Sequence, residues 1–249
     1  METLVPCAET MHQRRYDIWQ NKNVLRLIYQ EWFKWMAEMR SKIAGVTLEI
    51  GGGSGGLKSS FPDIYSSDVS FCPRLDLCLN AEQVPFKNDS LSNIVGFDII
   101  HHMHNPLALF SEAERCLKRG GRLILIEPYL TPFSRIGWCL HSEPIDFKVD
   151  IFKKNDNGNP PAKFICESNQ AVPTILFKKE FKRFLESFPR LKIITRKPFS
   201  YLAYPLSGGF EGKQLLPSRV YPFLAKVEKH LDFLAEWCAC RIFVALEHL

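Results

Sequence analysis

The residues with the clearest chemical capacity form one run, Gly51-Gly52-Gly53-Ser54-Gly55-Gly56. It follows the strand-like Val46-Thr47-Leu48-Glu49-Ile50 and precedes a short amphipathic stretch reaching Phe61. Glycines let the backbone bend sharply and approach a ligand with no side chain in the way. Gly51, Gly53 and Gly56 fit G-x-G-x-x-G, a weak signal by itself because dinucleotide dehydrogenases share it. Glu49 narrows the choice. It stands two residues before the first glycine, where a diphosphate would meet a carboxylate in a partly buried site. A cofactor bearing an ammonium is favoured, and S-adenosylmethionine has an ammonium, an adenosine and a sulfonium but no phosphate. The other reading of Glu49 is a carboxylate capping the loop's own amides. Asp68 ends the next strand-like run, where it either takes two hydrogen bonds from a ribose diol or is a solvated turn aspartate.

A second group follows the fourth strand-like run, at His101-His102-Met103-His104. In a parallel sheet this is the ligand-bearing edge, and histidine is the side chain whose pKa suits proton removal near neutral pH. His102 is a candidate for lining the cofactor pocket or acting as base. Adjacent residues leaving a strand point in different directions, so no metal is expected here. His141, with Glu143 or Asp146 to orient it, is the best candidate base, in a proline-stiffened stretch that should overlie the same edge. Tyr201, Tyr204, Ser207, Gly208, Gly209 and Phe210 suggest an aromatic loop completing an acceptor pocket, or an ordinary surface loop. Lys178, Lys179, Lys182 and Arg183 read as a solvated basic face.

These residues need a frame to hold them. Ile18, Trp19, Leu25, Ile28, Tyr29, Trp32, Trp35, Met36 and Met39 recur at helical spacing within 16–43, predicting one or two helices that either pack on a core or cover a cleft. Strands are expected at 46–50, 64–68, 75–79, 92–100, 122–126, 191–198 and 240–247. Helices are expected at 105–117, 178–188 and 224–236, with Asn105 as cap and Pro106 in the first turn. The alternation of strand and helix predicts an α/β fold, a parallel sheet with right-handed crossovers and helices on both faces. The stretch 128–177 breaks the rhythm and reads as an insertion over the strand ends. The 249 residues are expected to make one domain: a helical cap at 1–44, a cofactor-binding half at 45–127, the insertion, and the rest of the sheet at 178–249.

Composition excludes several classes. The chain is 46% hydrophobic and 24% charged, which is globular rather than disordered. A net charge of +5 is too weak to argue for nucleic acid. No apolar run is long enough to span a membrane, and residues 1–10 do not read as a secretory signal. The eight cysteines show no zinc spacing and need no disulfides in a chain of this length, so a reducing cytoplasm is the expected setting. Cys78, Cys116 and Cys240 fall in apolar patterns and read as small buried hydrophobes.

A family resemblance joins three of these segments. Leu48-Glu49-Ile50-Gly51-Gly52-Gly53-Ser54-Gly55 resembles the first motif of class I S-adenosylmethionine-dependent methyltransferases. The segment from Asn80 through Ala81, Glu82 and Gln83 to Val84-Pro85-Phe86 looks like their adenine-side segment. The run from Ala108 to Leu123 is similar to their helix and glycine turn before the fifth strand. The likeness spans about 46 to 127 and is nearest the branch called methyltransferase type 11. It implies a Rossmann-like seven-stranded, mostly parallel sheet with an antiparallel last strand. It also implies cofactor contacts from Glu49, Gly51, Gly52, Gly53, Asp68, Asn80, Ala81 and Phe97, with His102 near the cofactor's methionine end. Two positions depart from the pattern: Asn80 stands where aspartate is usual, and Ser92-Asn93 opens the fourth strand in place of phenylalanine-aspartate. The implied activity is methyl transfer to a small-molecule acceptor, such as a hydroxyl of a sugar or metabolite, with no nucleic-acid partner. The sequence sets neither the acceptor nor the oligomeric state. A methyltransferase-like binding protein and a nicotinamide-dependent oxidoreductase are the alternatives.

Overall fold

The computed structural model describes residues 8–135, 143–153 and 168–249. Seven strands join one sheet: β1 (Val46–Ile50), β2 (Tyr65–Asp68), β3 (Leu77–Cys78), β4 (Leu91–Phe97), β5 (Leu117–Pro128), β6 (Leu191–Phe199) and β7 (Arg241–His248). Their spatial order is β3-β2-β1-β4-β5-β7-β6. β1 through β5 pair in parallel, while β7 runs antiparallel to both β5 and β6. The strand count and directions match the expectation, including the reversed last strand.

The central strands are apolar on both sides because helices cover both faces. Side chains alternate. Ile94, Leu123, Leu125, Val244 and Leu246 enter one core with α4 (Pro106–Cys116) and α6 (Phe181–Ser187). Val95, Ile124, Ile126, Phe243 and Ala245 enter the other, against α2 (Asn23–Met39). α2 buries Val24, Leu25, Ile28, Tyr29, Trp32, Phe33 and Met36. The N-terminal segment is therefore two helices, α1 (Ala8–Asn21) and α2, with distinct duties.

Several boundaries differ from the expected ones. β5 starts at Leu117 because Leu117 pairs with Leu91 before a register shift, with Gly120 at φ +78 in the irregular stretch. The helix expected from Lys178 begins at Val172, with α5 (Val172–Thr174) opened by Pro173; it passes through a π turn at 175–179 and breaks at Glu180 before α6. The helix expected at 224–236 is α8 (Tyr221–Glu228), then a 3₁₀ turn at 232–234 and α9 (Ala235–Cys238). The Glu228 side chain leaves the helix face to accept the amides of Tyr201 and Ala203, at 3.1 and 2.7 Å, so α8 ends where it ties back to the preceding loop. α7 (Ala203–Ser207) occupies part of the expected aromatic loop. Asn105 makes no side-chain cap; Glu82 accepts its amide at 3.0 Å. Cys116 and Cys240 are buried as expected, but Cys78 is exposed, because β3 is only two residues long at the sheet's edge.

The polar opening of β4 is internally satisfied. Asn93 is buried; its carbonyl oxygen accepts the Ser41 amide at 2.7 Å and its amide donates to Thr47 Oγ1 at 3.1 Å. It ties the link after α2 to the base of the sheet. Asn93→Ala leaves buried partners unpaired and is expected to cost ~2 kcal/mol, read as a lower urea midpoint at unchanged slope.

Candidate active site

The C-terminal ends of β1, β2, β4 and β5 lie along one edge, and the glycine loop turns there into α3 (Gly56–Ser60). Gly51 and Gly53 have φ of +65 and +52, a region that costs other residues about 1–2 kcal/mol. Their surroundings differ. A Cβ on Gly51 would strike Ile99, so this glycine is needed for close packing under β4's end; a Cβ on Gly53 meets only Gly51's carbonyl, at 3.9 Å, and faces open space. That open cradle suits the approach of a ligand's backbone-bound end. A Cβ on Gly52 would run into the Ser66 hydroxyl and Glu49.

Glu49 is buried beneath this loop, and its carboxylate accepts a hydrogen bond from Ser66 Oγ. Burial pushes its carboxyl up to about 7; the Ser66 bond pulls it partly back. A buried acid that ionises at such cost gains from a cation placed beside it, which an amino-acid ammonium would be. No loop amide donates to Glu49. Asp68 does the capping: Oδ2 accepts the Gly53 amide at 3.0 Å, and Oδ1 accepts the amide and hydroxyl of Ser70 at 3.0 and 2.9 Å. An ionised carboxylate has about four acceptor directions, so one remains for a ribose hydroxyl rather than the two bonds expected. Asp68's carbonyl accepts the Leu79 amide, which brings Asn80 and Ala81 beside it. Ala81 is buried, whereas Asn80 is exposed and its side-chain oxygen accepts the Glu82 amide at 2.9 Å. Glu112 and Arg115 of α4 hold the following segment through the Val84 amide and the Val84 and Phe86 carbonyls.

α1 lies over the loop. His12 Nε2 is 2.7 Å from Ser70 Oγ, the hydroxyl bound to Asp68. Arg74 stacks on Tyr16 at 4.3 Å while bonding the Ser54 carbonyl and Gln13. The two readings of the N-terminal helices thus divide: α2 builds core, and α1 covers the glycine-loop side of the edge. A cleft of about 900 Å³ opens between α1 and the loop carrying Phe210, lined also by Gln13, Asp17 and Lys22.

At the end of β4, Phe97 packs on Tyr29 and Trp32, with ring centroids at 4.7 and 5.9 Å. Asp98, at φ +54, pairs with the buried Arg241, whose guanidinium also lies 4.4 Å over Tyr204. The next turn holds a buried imidazole oriented by a carboxylate. Glu127, fully buried at the end of β5, accepts the Ile99 and Ile100 amides at 2.8 and 2.9 Å and pairs with His101 Nδ1 at 2.8 Å. His101 Nε2 faces Glu143 at 3.7 Å, and Glu143 is bonded by Gln170. Burial lowers the His101 pKa, but Glu127, then Asp98 and Glu143, outweigh it, so the imidazole titrates above its ordinary value. His102 stacks on His101 at 4.1 Å, and burial, then His101's charge, push it down to about 4. It stays neutral at neutral pH.

The oriented imidazole of the edge is therefore His101. His141, the expected base, lies outside the described residues. Asp146 caps the Lys148 amide at 2.8 Å. Asp98, His101, Glu127 and Arg241 were missed as site residues because strand register brings them together; the convergence of the ends of β4 and β5 was the available signal. His101, His102 and Glu143 could hold a divalent cation, as could Asp98, His101 and Glu127, each set having ligand atoms within 4.8 Å of one another. The His101–Glu127 pair is complete without one. Tyr201 and Tyr204 turn inward: Tyr201 donates to Asp232 at 3.2 Å, and Tyr204 joins the aromatic cluster. Lys178 and Arg183 are paired with Glu236 and Asp150, in keeping with an ordinary basic face.

Residues 48–125 match the family model described as methyltransferase domain. No curated protein matches the chain in sequence. Among solved structures, a S-adenosylmethionine-dependent methyltransferase from Archaeoglobus fulgidus aligns at 12% identity over 89% of this chain and 94% of its own, with a TM-score of 0.52. A geranyl diphosphate methyltransferase in complex with S-adenosylmethionine aligns at 13% identity over 88% and 85%, with a TM-score of 0.51. A chain from the complex between the Haloferax volcanii Trm112 methyltransferase activator and a methyltransferase aligns at 11% identity over 97% of both, with a TM-score of 0.50. At these identities the likeness shows the fold, and the domain match covers the motif-bearing segment 48–125, under a third of the chain. With its strand order and reversed β7, the chain has the fold of the class I S-adenosylmethionine-dependent methyltransferases, and its residues 48–125 match a methyltransferase domain.

Proposed function

We propose that the chain transfers a methyl group from S-adenosylmethionine to an oxygen of a small-molecule acceptor, with His101 taking the acceptor's proton. The observation that supports this is the His101–Glu127 pair, 2.8 Å apart at the edge beside the glycine loop. S-adenosylmethionine supplies a methyl already activated on sulfur, so the protein's tasks are alignment, exclusion of water and proton removal. Glu49 would hold the ammonium, the open face of Gly53 would receive the amino-acid end, and the last acceptor direction of Asp68 would meet a ribose hydroxyl. Glu127 fixes the His101 proton on Nδ1, leaving Nε2 as the basic atom. Charge on His101 after proton uptake is balanced by Glu127 on one side and Glu143 on the other.

The test is acceptor-dependent formation of S-adenosylhomocysteine across hydroxylated small molecules, followed by a pH series. A base must be deprotonated to work, and this imidazole titrates above 6.5. Turnover is therefore expected to rise with pH and to level off only above that value. A flat profile from pH 6 to 9 would remove the base from the mechanism.

A further inference from the structure

One segment, residues 200–240, runs from the end of β6 to the start of β7. Antiparallel pairing sets Phe199 opposite Arg241, and Arg241 opposite Pro128, so the whole excursion departs from and returns to the active edge. The segment has an apolar surface of its own. α8 turns Tyr221, Leu224 and Ala225 inward, yet Val220, Phe223 and Val227, at helical spacing on the opposite face, are exposed. Phe223 is 70% exposed, Phe233 77% and Trp237 59%. Phe233 and Trp237 are one helical turn apart, and the Phe133 amide, from the strand end after β5, bonds the Trp237 carbonyl at 3.1 Å; Phe133 is exposed as well. Scattered exposed apolar residues are ordinary, but aromatics this large and this exposed, gathered within one segment, mark a binding surface.

The charges around it indicate what binds. Three acids of this segment are engaged by the protein itself: Glu228 on backbone amides, Asp232 with Lys197 and Glu236 with Lys178. Lys213, Arg219 and Lys226 are exposed, and among the described residues no carboxylate pairs with them. Large apolar side chains interleaved with unpaired cations are the composition of a surface that lies in a membrane interface. A second copy fits less well, since a two-fold contact through this surface would gather two sets of these cations into one interface with no added acids. No helix among the described residues is long and apolar enough to cross a membrane.

We propose that residues 200–240, with Phe133, dock the protein onto an anionic lipid surface, holding the active edge against the bilayer. On the methyl-transfer reading above, on which this consequence alone rests, the acceptor is an amphiphile drawn from that surface.

The test is flotation of the full chain with vesicles of phosphatidylcholine, and of phosphatidylcholine mixed equally with phosphatidylglycerol. S-adenosylhomocysteine calorimetry on the same samples keeps failure of docking distinct from failure of the cofactor site. The wild type is expected to float at least tenfold more with the anionic vesicles, and less as salt rises. Phe223→Glu combined with Phe233→Glu should abolish flotation with cofactor binding unchanged, and Lys226→Glu should reduce the preference for anionic lipid. Absence of flotation, or equal flotation with both vesicle types, would overturn the proposal. So would sedimentation showing a dimer that Phe223→Glu converts to monomer.

Discussion

Gly53→Arg is expected to weaken S-adenosylhomocysteine binding by at least about 100-fold, equivalent to roughly 2.7 kcal/mol. Two effects combine. The position has φ +52, so any side chain strains the loop. The new side chain then projects into the one face of the loop that is open, where a Cβ has nothing nearer than 3.9 Å. Calorimetry measures the loss, and a thermal melt shows whether the fold survives. Binding within threefold of wild type would move the cofactor away from this loop. Glu49 gives an independent readout. Its carboxyl titrates at about 7, and a neighbouring ammonium would favour the ionised form. Cofactor binding should therefore release a proton below pH 7, and affinity should fall by up to about tenfold per pH unit on acidification. Above pH 7 the group is already ionised and the dependence should vanish. Glu49→Gln should weaken binding and abolish proton release.

Glu127→Gln is expected to reduce turnover roughly a hundred- to ten-thousand-fold, the range general-base catalysis contributes. The carboxylate serves three donors; an amide that keeps its oxygen on the Ile99 and Ile100 N–H groups turns its own N–H toward His101 Nδ1, which holds the imidazole proton on Nε2 and removes the basic atom. Its loss also removes the largest influence raising the His101 pKa, so any residual activity should reach its plateau at lower pH than in the wild type. S-adenosylhomocysteine affinity should change little. His101→Asn, which leaves Glu127 its two amide donors, should show the same loss of turnover with less risk to folding. If both variants kept wild-type turnover, proton removal by this pair would be excluded.

How far the sequence could be read depended on whether a feature was local. The glycine loop and the burial of the β4 and β5 runs follow from short-range pattern, the reversed β7 was implied by the family resemblance, and all stand where expected. Glu49 was placed correctly beside the loop, but the capping role considered for it belongs to Asp68, one strand over. That exchange turns on which strand end faces the Gly53 amide. The pair His101–Glu127 depends on the register of β4 against β5, and Asp98–Arg241 joins residues 143 apart. No periodicity encodes either. Element ends were missed where side chains override pattern. The apolar spacing through 224–236 continues past Glu228, yet the Glu228 carboxylate serves the chain at 201–203 and the helix stops. Cys78 fits an apolar pattern, but an edge strand of two residues has nothing to bury it.

The place of β7 bears on how the chain reaches this state. It lies between β5 and β6, and β6 has no other neighbour in the sheet. Closing that gap joins Arg122 to Glu247 across 125 positions, through the guanidinium and carboxylate at 2.8 Å. Contacts so distant along the chain form only after a large loss of conformational freedom. Assembly of the sheet is thus a late step, and until it occurs β6 presents bare backbone on both sides, which makes that interval the one most exposed to self-association.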